Sequence, residues 1–229
     1  MTIRQRKLWV HELLSLPNWE EKLPQLQALP ANHVVGPLFA ALLHPNVLVR
    51  WHAVTAFGLV VGPLAQREPE QARIIMRRFL WSLNDESGGI GWGAPEAMAE
   101  IMVQSPRMAD EYAKILRAFI HEAAEDAPDC YLEHEPLRRG AMWGLGRLAE
   151  VRPKHVLPAG ADILAALQEA DSTIRGYAAW ATGTLRLHAA RPILEPMVSD
   201  LSSVEIYRQR QLIETTVGAL AAEALALQP

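Results

Sequence analysis

Only one cysteine, Cys130, occurs in the 229 residues. That excludes an internal disulfide and leaves a zinc site without the several thiolates of a structural cage. Phe and Tyr are scarce, at four each, and β-branched residues rarely alternate with polar ones over four or more positions, so a sheet protein is not expected. Positive charge is not in excess. Against 22 Lys and Arg stand 26 Asp and Glu, a formal net charge of −4, which provides no global field for gathering nucleic acid or anionic membrane. Long apolar runs are missing as well. The longest, Ala53 to Ala65, carries Gly58, Gly62 and Pro63 and falls short of the roughly 20 residues a membrane span needs. The opening MTIRQRKLWVHELLSL starts with basic residues as a signal peptide would, but His11 and Glu12 interrupt its apolar stretch. The expectation is a cytoplasmic chain with no membrane partner.

What is present is helix-forming and repetitive. Half the residues are apolar, enough to bury a substantial core. Three segments align without gaps: RWHAVTAFG from Arg50, RRGAMWGLG from Arg138 and RGYAAWATG from Arg175. Each has alanine three positions after the Arg (Ala53, Ala141, Ala178) and glycine eight positions after it (Gly58, Gly146, Gly183). RQLIETTVG from Arg210 keeps the glycine as Gly218 but has Ile213 for the alanine. GWGAPEAMA from Gly91 keeps Ala94 and has Ala99 in the glycine position. The spacing between starts, 35 to 47 residues, suits a unit of two helices and two turns. Small residues at these positions let packed helices approach closely, against a loss of about 1 kcal/mol in helix propensity per glycine.

A first helix is predicted upstream of each copy, over Val34–Leu43, Pro69–Leu83, Met108–Glu125, Val156–Ala170 and Pro192–Leu201. Turn signals divide the pairs: HPN at His44, the Gly-rich stretch after Asp85, the acidic loop before Pro136, and Asp171-Ser172 and Ser202-Ser203 as helix N-caps. Residues 1–30, with Pro17, Pro24 and Pro30, are expected to cap the stack, and 31–229 to form its repeats within one domain.

The run of turn, Arg, spaced alanines and a closing LG resembles the HEAT repeat, in particular its bacterial PBS-lyase-type variety, over about residues 34 to 227. ESGGIGWGAPEAM and PLRRGAMWGLGRLA are similar to stretches of bacterial HEAT proteins with no assigned activity. The resemblance implies an all-α, right-handed α-α superhelix of about five helix pairs. It further implies second helices on the concave side, and leading arginines (Arg50, Arg138, Arg175, Arg210) that tie adjacent turns by bonding acids or carbonyls.

With core positions three, four, seven and eight after each start, the opposite stripe falls at one, five and nine. It holds Trp51, Thr55 and Leu59, then Trp92, Glu96 and Glu100, then Arg139, Trp143 and Arg147, then Gly176, Trp180 and Thr184. Two acids are thereby expected to face two arginines, flanked by four tryptophans. Arg and aromatic side chains are common anchors of binding energy, so Trp92, Glu96, Arg139, Trp143, Arg175 and Trp180 are the candidate partner-binding residues. The competing reading makes the tryptophans core and the charged pairs inter-repeat salt bridges.

Catalytic and metal readings fare less well. The Gly88, Gly89, Gly91 and Gly93 loop matches neither GxGxxG after a strand nor a Walker motif. Pairs His11-Glu12, His121-Glu122 and His134-Glu135 invite comparison with deoxyhypusine hydroxylase, a HEAT-like di-iron enzyme, but lack its symmetric placement. Donors gathered between His121 and Glu135, Cys130 among them, read as a solvated acidic loop, with a transition metal as the lesser alternative. HEAT-like DNA alkylation-repeat glycosylases use Trp, Asp and Arg on a concave face, yet Glu96, Glu100 and Glu214 break any basic stripe here. The expected function is a non-enzymatic interaction module for a partner protein or cofactor-bearing protein, needing no cofactor of its own. The alternatives are a lyase or hydrolase using Glu96 as acid/base and a DNA alkylation-repeat-like nucleic-acid binder.

Overall fold

In the computed structural model residues 1–84, 91–122 and 130–228 are described. They fall into two compact units, Met1–Met108 and Ala109–Pro229. The first contains α1 (Ile3–Ser15), α2 (Trp19–Gln27), α3 (Ala31–Ala41), α4 (Val47–Arg67), α5 (Pro69–Leu83) and α6 (Ala94–Gln104). The division falls in the first turn of α7 (Pro106–Ala118). Beyond it lie α8 (Glu135–Val151), α9 (Pro153–Val156), α10 (Gly160–Ala166), α11 (Ser172–Leu185), α12 (Arg191–Met197), β1 (Ser203–Arg208), β2 (Gln211–Thr216) and α13 (Val217–Ala226).

Local chemistry explains where the second helices begin. The Asn46 side chain accepts from the Leu48 N–H to cap α4, Asp171 accepts from Ile174 to cap α11, and Thr216 accepts from Ala219 to cap α13. Proline in the first turn starts α5, α6 and α8, where its missing N–H costs no helical bond.

The repeated glycines sit where one second helix meets the next. A Cβ on Gly58 of α4 would stand 2.8 Å from the Glu100 carbonyl oxygen of α6. On Gly146 of α8 it would meet the Trp180 ring of α11 at 2.5 Å, and on Gly183 of α11 the Ala224 Cα of α13 at 2.6 Å. These approaches leave no room for a methyl group, so packing, not helix propensity, selects glycine. In the first unit the core gathers Phe39, Phe57 and Phe79, with ring centroids 4.5–5.0 Å apart. By length and composition α4 is apolar enough to cross a membrane, beyond what its broken apolar run suggests, but 67% of that window is buried inside the fold.

Four predictions need correction. The copy assigned to Arg210 is not a helix: residues 203–216 form the antiparallel hairpin of β1 and β2, with Arg208 paired to Gln211. Val204, Ile206, Tyr207, Ile213, Thr215 and Thr216 supply β-branched and aromatic side chains that favour a strand. The last second helix therefore starts at Val217, and Ser203 opens a strand where an N-cap was expected. The helix predicted over Val156–Ala170 is broken into α9, a 3₁₀ turn at Leu157–Ala159 and α10, because Pro158 and Gly160 both weaken a continuous helix. The helix predicted to start at Met108 begins at Pro106, and its predicted end, Glu125, lies outside the described residues, as does the 85–90 part of the Gly-rich loop.

Candidate functional site

Three of the four leading arginines do what the repeat pattern implies. From each, Nη1 donates to two carbonyls five and six residues upstream: His44 and Pro45 for Arg50 (3.0 and 3.4 Å), Leu132 and Glu133 for Arg138 (2.9 and 3.0 Å), Glu169 and Ala170 for Arg175 (both 2.8 Å). The guanidinium thus clamps the turn preceding its own helix. Arg175 reaches further, from Nη2 to Asp200 Oδ2 at 2.8 Å. The Ser202 side chain and backbone N–H join Arg175 in holding the Asp200 carboxyl down at about 2. Arg210 departs from the set. It sits in the hairpin turn with φ +63°.

On the first unit's stripe, Thr55 and Glu100 are buried, Trp51 is half-buried and Trp92 is 37% exposed. Glu96 occupies the first turn of α6, and its Oε2 is buried without a hydrogen-bond partner. Burial pushes its carboxyl up to about 7, against the opposing pull of its own backbone N–H and of Arg50.

On the second unit's stripe the tryptophans turn inward, Trp143 being 1% and Trp180 6% exposed. Each arginine finds an acid within its unit. Arg139 donates from Nε to Asp171 Oδ2 at 2.9 Å and pairs with it again through Nη2, while Arg147 pairs with Glu150 at 2.9 Å. Burial opposes the Asp171 charge, yet Arg139 and the Ile174 N–H still hold its pKa below the ordinary carboxylate range.

What covers this stripe is the hairpin. Trp143 Nε1–H donates to the Tyr207 carbonyl at 2.8 Å, and the Tyr177 hydroxyl donates to the Glu205 carbonyl at 2.6 Å. With a two-residue turn closing on Arg208 and Gln211, these two carbonyls lie on the edge of β1 that faces away from β2. Side-chain donors on α8 and α11 therefore satisfy an extended main chain at every second residue. Gly176 provides the space, since a Cβ there would stand 3.0 Å from Val204. Arg208 lies over the Trp180 ring, 6.0 Å from its centroid. Tyr177, Tyr207 and β1 were missed from sequence because the helical spacing from Arg210 to Gly218 masked the alternation of Val204 and Ile206.

Pockets open among the described residues of the first unit. One, of about 620 Å³, lies between the α2–α3 turn and the α4–α5 junction, with Arg67, Glu68 and Gln71 on its wall. Another, of about 330 Å³, lies between α3 and α5 and is lined by Phe39, Leu43, Phe79 and Trp92, with Arg78 at its edge. Glu96 lines neither. His121 pairs with Asp162 at 2.9 Å. Among the described residues no three His, Cys, Asp or Glu side chains are grouped as metal donors, and 123–129 of the acidic loop lie outside them.

Residues 135–185, α8 through α11, match a family model described as HEAT-like repeat. An uncharacterised protein of Archaeoglobus fulgidus is 31% identical over 114 residues, 50% of this chain and 53% of that protein. The chain thus spans about half the length of this curated relative. Among solved structures, an engineered protein aligns over 99% of this chain and 96% of its own, with TM-score 0.50 at 14% identity, a likeness of fold. A designed armadillo repeat protein in complex with the peptide (KR)4 aligns over 96% and 98% of the two chains, at TM-score 0.48 and 18% identity.

Proposed function

We propose that this HEAT-like repeat chain is a non-enzymatic, cytoplasmic interaction module that binds an extended segment of a partner protein, bare or cofactor-bearing, on the face of its second helices. The support for this reading is the grip of α8 and α11 on β1: Trp and Tyr donors spaced to meet alternate main-chain carbonyls, with Gly176 leaving room for the Val204 side chain. Main-chain hydrogen bonds of this kind hold an extended chain of many sequences, while side-chain pockets select among them. In this division of labour Trp143 and Trp180 form the wall, Arg175 fixes the turn before it, and Trp92, Glu96 and Arg139 are the residues offered to a partner.

Peptides selected by display on the purified protein provide the test. Their affinities are then measured for wild type, Trp92→Ala and Arg139→Gln, each checked for retained fold by circular dichroism. A loss of at least about tenfold in one of the two is expected, as for a partner anchor; equal affinities across all three proteins overturn the assignment. A second reading, an acid/base enzyme built on Glu96, has in its favour the buried Oε2 and the raised pKa. Turnover of an ester or glycoside panel that Glu96→Gln abolishes would establish it, and turnover unchanged in that variant would dismiss it.

A further inference from the structure

Outside the second-helix face, the side chains of α5 are unevenly matched in charge. Arg73 and Arg77 both pair with Glu70, at 3.4 and 2.6 Å. Arg78 pairs with no acid among the described residues; its guanidinium lies over the Phe39 ring at 3.9 Å. Partial burial lowers its pKa. The side chain is exposed, so the cation is held in place at a rim and left without a countercharge.

Beneath it is the 330 Å³ pocket, within the usual size range for a bound side chain or small ligand. Its floor is Phe39 and Phe79, both fixed in the aromatic core at centroid spacings of 4.5–5.0 Å. Its walls include Leu43, 57% exposed, and Trp92, 37% exposed. Along α5, Ile74 and Trp81 stand four residues before and three after Arg78, on one helical stripe, and are 48% and 76% exposed. Large apolar side chains concentrated beside a cation that pairs with no acid among the described residues form the chemical complement of a segment that is apolar and negatively charged at once.

We infer that the pocket between α3 and α5 is a second docking site, which takes an acidic linear peptide by seating one of its apolar side chains against Phe39, Leu43 and Trp92 and one of its carboxylates on Arg78. A peptide fits these observations better than nucleic acid, because Arg78 is the one basic residue lining this pocket among the described residues, and on a chain of net charge −4 that offers too little for a phosphate backbone. It shares only Trp92 with the second-helix face and stands or falls separately, since Arg78 has no part in that face and Arg139 none in this pocket.

The probe is a fluorescein-labelled peptide, Asp-Asp-Leu-Phe-Asp-Asp, followed by anisotropy against the full chain, with its Asn-for-Asp and Lys-for-Asp versions as controls. Saturable binding of the acidic peptide is expected, with the Asn version weaker by about tenfold or more and binding diminished as salt rises. Arg78→Glu, at an exposed position, loses the acidic peptide and gains the Lys version; Leu43→Glu repels the acidic peptide even if Arg78→Glu fails to fold. Equal affinity for the acidic and Asn peptides, or for wild type and Arg78→Glu, overturns the inference. So does cosedimentation with phosphatidylserine vesicles, or dimerisation in the ultracentrifuge, that Arg78→Glu abolishes while the acidic peptide does not bind.

Discussion

Replacing Glu96 by Gln tests the electrostatics of the first unit directly. Its carboxyl is raised from 4.5 to about 7, chiefly by burial, and Oε2 has no donor to compensate. A folded-state pKa above the unfolded one means that the folded chain holds the proton more tightly. Stability is therefore full below about 4.5 and is lost as pH climbs toward 7, the opposite of the usual carboxylate. At about 1.4 kcal/mol for each tenfold in proton affinity, the bound on this loss is about 3 kcal/mol. The residue is only half-buried, and solvent screening reduces the figure to about 2 kcal/mol. Two groups in the same unit act in the other sense: burial lowers the pKa of His52, which bonds the Leu14 carbonyl at 2.7 Å, and that of His11. Both cost stability as pH falls through about 6.5, so a wild-type curve alone mixes the signs. The difference between Glu96→Gln and wild type cancels the histidines. A pH-independent cost of about 1–3 kcal/mol for burying the amide leaves the slope untouched. Urea unfolding from pH 5 to 8 should show the variant gaining about 2 kcal/mol on wild type across that interval, most of it between pH 5 and 7. A difference flat to within about 0.5 kcal/mol, which is near the limit of such comparisons, refutes the reasoning.

Gly183→Ala forces a methyl against the Ala224 backbone and should destabilise by about 1–3 kcal/mol even after its gain in helix propensity. Gly160→Ala, where the new Cβ in helical backbone would meet only the Leu187 side chain at 3.8–3.9 Å, should instead stabilise by about 0.5–1 kcal/mol, and thermal melts of the two variants separate packing from propensity. Gln209 and Arg210 hold φ of +51° and +63° at the centre of the hairpin turn; Gln209→Asn with Arg210→Gly should raise stability by about 1 kcal/mol in urea titrations, because both replacements tolerate the left-handed region. Arg175→Met removes one of the partners that hold Asp200 at about 2, and an NMR titration should find the carboxyl moved up toward the ordinary range. Trp143→Phe keeps the ring but deletes the donor to Tyr207, so amide exchange in β1 should quicken by at least about tenfold, near 1.4 kcal/mol for one lost buried hydrogen bond.

The helical repeat was legible because its rule is steric and local. A second helix that lies against the next cannot carry a Cβ at the crossing, so Gly58, Gly146 and Gly183 recur at a fixed offset from the arginine that ties the turn. That same rule misled at Arg210. Gly218 keeps the offset, but it packs against the Val198 and Asp200 carbonyls just after α12, not against a next second helix; the residues before it are governed by strand chemistry, and an offset from one glycine does not reveal which. Position in the stripe was legible as well, but exposure was not. Spacing places Trp143 and Trp180 on the face away from the core positions, and only the long-range pairing of residues 64 apart shows that another part of the chain already lies there. Exposure therefore depends on contacts that periodicity within a helix does not contain. The hairpin accordingly carries two meanings at once. It covers side chains of α8 and α11, and its β1 edge shows that Trp and Tyr on this face bond to carbonyls rather than to particular side chains. A face that recognises main chain discriminates poorly by itself, so specificity has to come from charged and aromatic groups at its margins. Under the function proposed, that selectivity would fall in the second unit to Arg139, held against Asp171 with its side chain 41% exposed, and in the first to Trp92, 37% exposed.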